Sequence, residues 1–193
     1  FFLPSLQAMA ETRLRLEDGL RRAIANDELA LHFQPQIDAA GQMVGAEALL
    51  RWDHPELGPV PPGEFVPVAE ESGLIHPLGT WVMERACDRL STWLREGVPF
   101  SGHLSINVSS WQFAREDFVQ QVTRVLEKFQ LPPGRLMLEV TESVLLYDRE
   151  GTIHKLHALR ALGIGVALDD FGTGYSSLAY LKDLPLDILK IDQ

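Results

Sequence analysis

Two adjacent carboxylates, Asp169 and Asp170, end the apolar run Ile164 to Leu168 and lead into Phe-Gly-Thr-Gly-Tyr-Ser-Ser-Leu, a Gly-rich turn. Charge at a strand tip followed by a pliable loop is where open and closed α/β sheets place chemistry, because the strand holds its tip still while the loop varies. Neighbouring side chains on a strand point oppositely, but the strand's end can relax that rule and let both carboxylates reach one polar pocket. Two hard anions side by side call for a divalent cation. The same pair also reads as an N-cap Asp and its neighbour closing a strand-to-helix turn.

Other strand-like segments end in comparable residues: Glu47, Asn107, Glu139 and Lys190. Carboxylates with one amide oxygen form a hard-oxygen set suited to Mg²⁺ or Mn²⁺ and poorly suited to structural zinc. The six histidines, at 32, 54, 76, 103, 154 and 157, show no zincin spacing and read as surface, loop or helix positions. Two adjacent cations held by such a set can lower the pKa of a water and clamp the entering and leaving oxygens of a phosphodiester. Lys190 can orient a water, neutralise a phosphate or form a structural pair. Arg51, four residues beyond Glu47, shares its strand face by period-two counting and can hold a phosphate. Gln34 either meets a base edge or phosphate, or makes a cross-strand hydrogen bond.

The elements that position these groups follow from periodicity. Residues 8–24 carry Leu16, Leu20 and Ile24 at helical spacing on a charged background, a surface or connecting helix whose arginines at 13, 15, 21 and 22 are solvated. Leu29 to Ile37 and Met43 to Trp52 read as strands joined at Ala40-Gly41, too short a connection for a crossover, so they pair antiparallel. Residues 53–67, with five prolines and two glycines, read as a long ordered loop. An amphipathic helix spans 77–94, with Trp81 and Trp93 in packing roles. Strands at 104–108, 135–140 (tipped by Glu139 and Glu142), 166–169 and 188–191 alternate with helices at 115–129, 150–162 and 176–184, which implies parallel pairing with right-handed crossovers.

The composition is that of a soluble globular protein, 46% apolar and 23% charged over 193 residues. The 27 acidic against 17 basic residues, a formal charge of -10, and the lack of a basic stripe argue against a nucleic-acid polymer as ligand. The single cysteine, Cys87, lies in an amphipathic pattern with Val82, Ala86 and Leu90 and reads as a buried thiol in a reducing compartment. No apolar run approaches a membrane span, so a cytoplasmic location is expected, either free or as the cytoplasmic part of a membrane-anchored protein. The chain opens on Phe and is short for a closed eight-stranded barrel, which needs about 250 residues. The expectation is therefore a fragment: residues 1–27 a linker helix after an upstream domain, and residues 28–193 a barrel truncated after about its sixth strand.

The motif Glu47-Ala48-Leu49-Leu50-Arg51-Trp52 resembles the name-giving signature of the EAL domains, bacterial cyclic di-GMP phosphodiesterases. The resemblance continues in order through Phe33-Gln34-Pro35, Ile106-Asn107-Val108-Ser109, Leu138-Glu139-Val140-Thr141-Glu142-Ser143, Asp169 to Leu178, and Leu189-Lys190-Ile191-Asp192. It implies a TIM-like (β/α)₈ barrel with an antiparallel first strand, hydrolysing cyclic di-GMP to linear pGpG with two Mg²⁺ or Mn²⁺ ions and inhibited by Ca²⁺. It also implies metal ligation by Glu47, Asn107, Glu139, Asp169 and Asp170, and placement of the attacking water by Lys190. Gln34, Leu50, Arg51 and Asp192 would contact substrate, and Glu142 would anchor the loop from Asp170 to Leu178, whose Gly172 and Gly174 give it freedom to gate. A homodimer follows from the same resemblance. The N-terminal Phe1-Phe2-Leu3-Pro4 and its helix resemble the junction after a GGDEF domain, so an upstream GGDEF or sensor domain is expected. The resemblance also implies a seventh-strand Glu and a later Gln, which would fall beyond residue 193. Two other readings stay open: a non-catalytic cyclic di-GMP receptor of this fold, and a different metal-using barrel enzyme acting on a phosphorylated metabolite.

Overall fold

A computed structural model describes residues 4–26, 28–100, 102–145, 148–171 and 184–191. Helix α1 (Pro4–Ala25) leads into β1 (Leu29–Ile37), β2 (Met43–His54), β3 (Gly58–Val60), α2 (Pro62–Ser72) and α3 (Ile75–Arg95). Then come β4 (His103–Val108), α4 (Ser110–Ala114), α5 (Phe118–Phe129), β5 (Leu136–Thr141), a 3₁₀ turn (Glu142–Leu145), α6 (Arg149–Ala161), β6 (Gly165–Phe171) and β7 (Ile188–Ile191). The strands form one sheet in the order β1-β2-β4-β5-β6-β7, with β3 paired to β2. The first strand is antiparallel to the second, and β2, β4, β5, β6 and β7 run parallel. This is the expected α/β architecture with its antiparallel first strand. Among the described residues the sheet is open, with β1 and β7 as its edges.

The β1–β2 turn is fixed by Asp38, whose Oδ1 accepts the amides of Ala40 (2.9 Å) and Gln42 (2.8 Å). Gly41 takes the left-handed conformation that this turn requires (φ 78°). Along β4, β5 and β6 one face carries Leu104, Ile106, Val108, Leu136, Leu138, Val140, Val166 and Leu168, all buried against the helices. The opposite parity, Asn107, Glu139 and Asp169 among them, is thereby turned toward the concave side. Burying each large aliphatic side chain contributes about 1.5–3 kcal/mol, so a register slip that exchanged the faces is strongly disfavoured.

The Pro-rich stretch is more ordered than its composition suggests. Residues 58–60 form β3, and a helix begins at Pro62 after the extended N-cap Pro61. Proline suits that start, since the first helical amide has no intrahelical partner. Pro67 forfeits one helical hydrogen bond, and burial of Phe65, Val68 and Ala69 along one side offsets it. The helix expected over 115–129 is α5, which starts only at Phe118 and ends at Phe129 as expected; the short α4 before it, capped by Ser109, was not expected. His54 is neither surface nor loop; it ends β2, buried, with Nδ1 accepting the amides of Glu56 (3.1 Å) and Leu57 (3.2 Å). Helix α1 packs closely there, since a β-carbon at Gly19 would fall 2.8 Å from His54 Nε2. Leu16, Leu20 and Ala23 join Trp52 and Phe65 in a second core cluster. The expected helix over 176–184 lies almost wholly outside the described residues.

Trp81 and Trp93 pack against the core as expected, Trp93 edge-on to Phe33 at 4.8 Å. Cys87 is fully buried in α3, and burial, aided by the charge of Glu84, pushes its thiol up to about 12. The folded state therefore keeps a proton that the unfolded chain releases above about pH 8.5, so this group withdraws stability as pH rises from there toward 12. Cys87 is expected to resist iodoacetamide at pH 8 in the native protein and to react within minutes in denaturant, as read by intact mass. Rapid native labelling would show that the α3 packing is wrong.

Candidate active site

Four of the expected ligands come together around a lysine: Asn107, Glu139 and Asp169 from the ends of β4, β5 and β6, and Glu47 from within β2 rather than from its tip. Asn107 stands directly opposite Glu139 across β4–β5, and Thr141 opposite Asp169 across β5–β6. Glu47, on β2, is reached diagonally: Asn107 Nδ2 donates to Glu47 Oε1 at 2.7 Å. Lys190 enters from β7, and its ammonium donates to Glu139 Oε2 (2.6 Å), Asp169 Oδ2 (3.1 Å) and Glu47 Oε2 (3.4 Å). Three carboxylates from three strands thus converge on one cation.

Their environments differ. Glu139 is only 2% exposed. Burial holds its carboxyl above the ordinary range, opposed by the Lys190 hydrogen bond and reinforced by the charge of Glu47. For Lys190 burial acts against the charge, but its hydrogen bonds and ion pairs with Glu139, Asp169 and Glu47 outweigh that and hold the ammonium above the ordinary lysine range. Lys190 is therefore a hydrogen-bond donor and a fixed positive charge at neutral pH.

How β7 delivers Lys190 is visible at its start. Asp187 Oδ2 accepts the Val166 amide (2.9 Å), its own amide donates to Val166 O (2.8 Å), and its Oδ1 takes Arg160 Nη2 (3.1 Å). This clamp on β6 and α6 sets the register three residues before the lysine. The β6–β7 register then shifts between Leu168 and Phe171, and Asp170 lies in the left-handed region (φ 54°) with its amide donating to Asp169 Oδ1 (3.0 Å). An irregularity of this kind is what lets consecutive carboxylates escape strict alternation. Asp170 stands exposed beside the cluster.

A cavity of about 420 Å³ opens next to these groups, lined by Leu50, Arg51, Glu70, Asn107, Ser109 and Glu139 among others. Arg51 Nη1 donates to Leu50 O (2.8 Å). Gln34 is exposed directly opposite Glu47 in the β1–β2 register. Glu142 is half-buried in the 3₁₀ turn; most of the loop it was expected to anchor, and Asp192, lie outside the described residues. Asp187 and Glu70 were not foreseen. Their partners are 21 and 39 residues away in sequence, so only the tertiary fold exposes their roles.

Among the described residues, no three acidic, histidine or cysteine groups are disposed as a finished metal cage. The donor chemistry nevertheless fits a hard dication: carboxylate oxygens from three strands already meet at a cationic centre, and the Asn107 amide oxygen is left over once Nδ2 bonds Glu47.

Comparison with known proteins gives the family. Residues 17–193 match the family described as EAL domain. The chain is 45% identical over 194 residues to the Pseudomonas aeruginosa bifunctional diguanylate cyclase/cyclic di-GMP phosphodiesterase MucR, covering 100% of this chain and 28% of that protein. It is 41% identical over 198 residues to cyclic di-GMP phosphodiesterase NbdA of the same organism, 25% of whose length it spans. The structure of the PaMucR phosphodiesterase in complex with c-di-GMP superposes with a TM-score of 0.87 at 45% identity, over 92% of this chain and 72% of that one. Its sheet is thus that of a TIM-like barrel, and from residue 17 onward the chain belongs to the EAL domain family.

Proposed function

We propose that this chain carries a metal-dependent phosphodiesterase that opens cyclic di-GMP to linear 5'-pGpG. The observation that supports it most is the meeting of Glu47, Glu139 and Asp169 on Lys190 beside an open cavity. Relatives named as cyclic di-GMP phosphodiesterases, and a c-di-GMP complex of the same fold, supply the substrate. The bifunctional cyclase/phosphodiesterase among these relatives favours an upstream cyclase-type domain, and a homodimer rests on the family resemblance alone.

Glu47, Asn107, Glu139 and Asp169 would hold one divalent ion, and Asp169 with Asp170 a second. Bound Mg²⁺ or Mn²⁺ supplies an acidified water and positive charge for the phosphodiester oxygens. The chain's own residues do the positioning. Lys190, protonated by its surroundings, donates to an oxygen at the centre of the cluster and so orients either the water or a phosphate oxygen. Arg51, on the Glu47 face of β2 and in the cavity wall, is placed for a phosphate. Leu50 gives that wall an apolar portion against which a base can lie. Gln34 extends the site from the neighbouring strand. Asn107, by binding Glu47 through Nδ2, fixes which of its own atoms faces the ion.

Replacing Glu47 by Ala in the full-length protein should remove pGpG formation while far-ultraviolet circular dichroism is unchanged; product analysis by chromatography reads this. Tight cyclic di-GMP binding without turnover by the metal-loaded wild type would instead place the protein in the receptor class. Lys190→Met should lower kcat about 10²–10³-fold. Its thermal midpoint should rise more on Mn²⁺ addition than that of wild type, because a dication then relieves carboxylates that the ammonium no longer balances. An equal rise in both proteins would mean that the lysine does not neutralise this cluster.

A further inference from the structure

The cavity contains one acidic group that the site chemistry above does not use. Glu70 lies in the last turn of α2, half-buried, and lines the same cavity as Asn107 and Glu139. Its Oε1 accepts a 2.5 Å hydrogen bond from the hydroxyl of Ser109, a short contact of the charge-assisted kind.

Ser109 is the residue on which β4 turns into α4. Its hydroxyl accepts the Trp111 amide (3.3 Å), its amide donates to Gln112 Oε1 (3.2 Å), and its carbonyl accepts the Phe113 amide (3.0 Å). Gln112 is itself buried, 7% exposed, and seated against α3 at Gly79, where a β-carbon would fall 1.6 Å from Gln112 Nε2. The turn is therefore held from within by a capping box and from outside by Glu70. Asn107 is two residues upstream, on the same side of the strand, and β4 pairs with β5 no further than Val108. What fixes the direction of the chain just past Asn107 is thus the Ser109 anchor.

We infer that Glu70 is a positioning residue for Asn107: by holding Ser109 across the cavity it sets where the Asn107 amide oxygen stands relative to Glu47 and Glu139. The inference rests on the metal-dependent reading above, with Asn107 as ligand. Partners that orient metal ligands change metal affinity by about 10–100-fold when removed. Loss of a mere brace between α2 and α4 would lower stability without that effect.

The test is Mn²⁺ affinity of the full-length protein by titration calorimetry, alongside pGpG formation and the thermal midpoint, for Glu70→Ala, Glu70→Gln, Ser109→Ala and the double alanine variant. Glu70→Ala and Ser109→Ala should each weaken Mn²⁺ binding about tenfold, and activity should recover at saturating Mn²⁺. The double variant should be no worse than either single one, and Glu70→Gln, which keeps an acceptor oxygen, should lie near wild type. Wild-type Mn²⁺ affinity in Glu70→Ala, or additive losses in the double variant, would overturn the assignment. If Glu70→Ala does not fold, Ser109→Ala decides: unchanged affinity there overturns it equally. A wild type that binds Mn²⁺ without forming pGpG would sink the hydrolase reading and leave Glu70 to be judged on affinity; a wild type that binds no Mn²⁺ overturns both.

Discussion

Three carboxylates drawn to one point repel one another, and one of them, Glu139, is almost entirely removed from water. Leaving a charge in such a place without a partner costs about 3–5 kcal/mol, a large part of a domain's net stability. Lys190 is the response. Its ammonium touches Glu139, Asp169 and Glu47 at once, and those contacts keep it charged despite burial. Electrostatic tension of this order is informative, because nothing in the packing of the sheet demands acids at these tips; aliphatic side chains would fill the space at lower free energy. One ammonium against three carboxylates leaves the cluster short of positive charge, and a cationic ligand is the physical explanation with the fewest additions.

The scaffold meets this demand by devices placed before and after each tip. Buried aliphatics on the helix-facing side of β4, β5 and β6 lock strand register, which turns the acids inward. The Asp187 clamp fixes where β7 begins and so where Lys190 arrives. The left-handed Asp170 and the register shift beside it give two consecutive acids separate directions. The Ser109 cap, with Glu70 behind it, ends β4 just past Asn107. Each device is local, but each acts on a group supplied by a distant part of the chain.

Much of this was readable from residue types. Strands at 29–37, 43–52 and 104–108 declared themselves by alternation or apolar runs, and the short connection at Ala40-Gly41 forced the antiparallel first pair. Asn107, Glu139, Asp169 and Lys190 stood out because polar residues near the ends of apolar runs have no packing reason to be there, and Glu47 because it interrupts one, within β2 rather than at its end. Helix α2 was hidden because five prolines read as loop, although Phe65, Val68 and Ala69 already fall at helical spacing. His54 was misread because an imidazole can be satisfied by two backbone amides of the turn that follows it, a geometry no pattern announces. The Asp187 and Glu70 contacts bridge 21 and 39 residues, and local sequence carries no trace of such pairings.

The central claim is that the chain's carboxylates, amide and lysine serve to add water to a phosphodiester. Cyclic di-GMP turned over in ¹⁸O-labelled water by the full-length, Mn²⁺-loaded protein tests it directly. Cleavage of the P–O3' bond by water predicts linear pGpG with one ¹⁸O in its 5'-phosphate, and no linear product after chelation. Unchanged cyclic di-GMP recovered from a tight complex, or linear product without the label, would contradict the account.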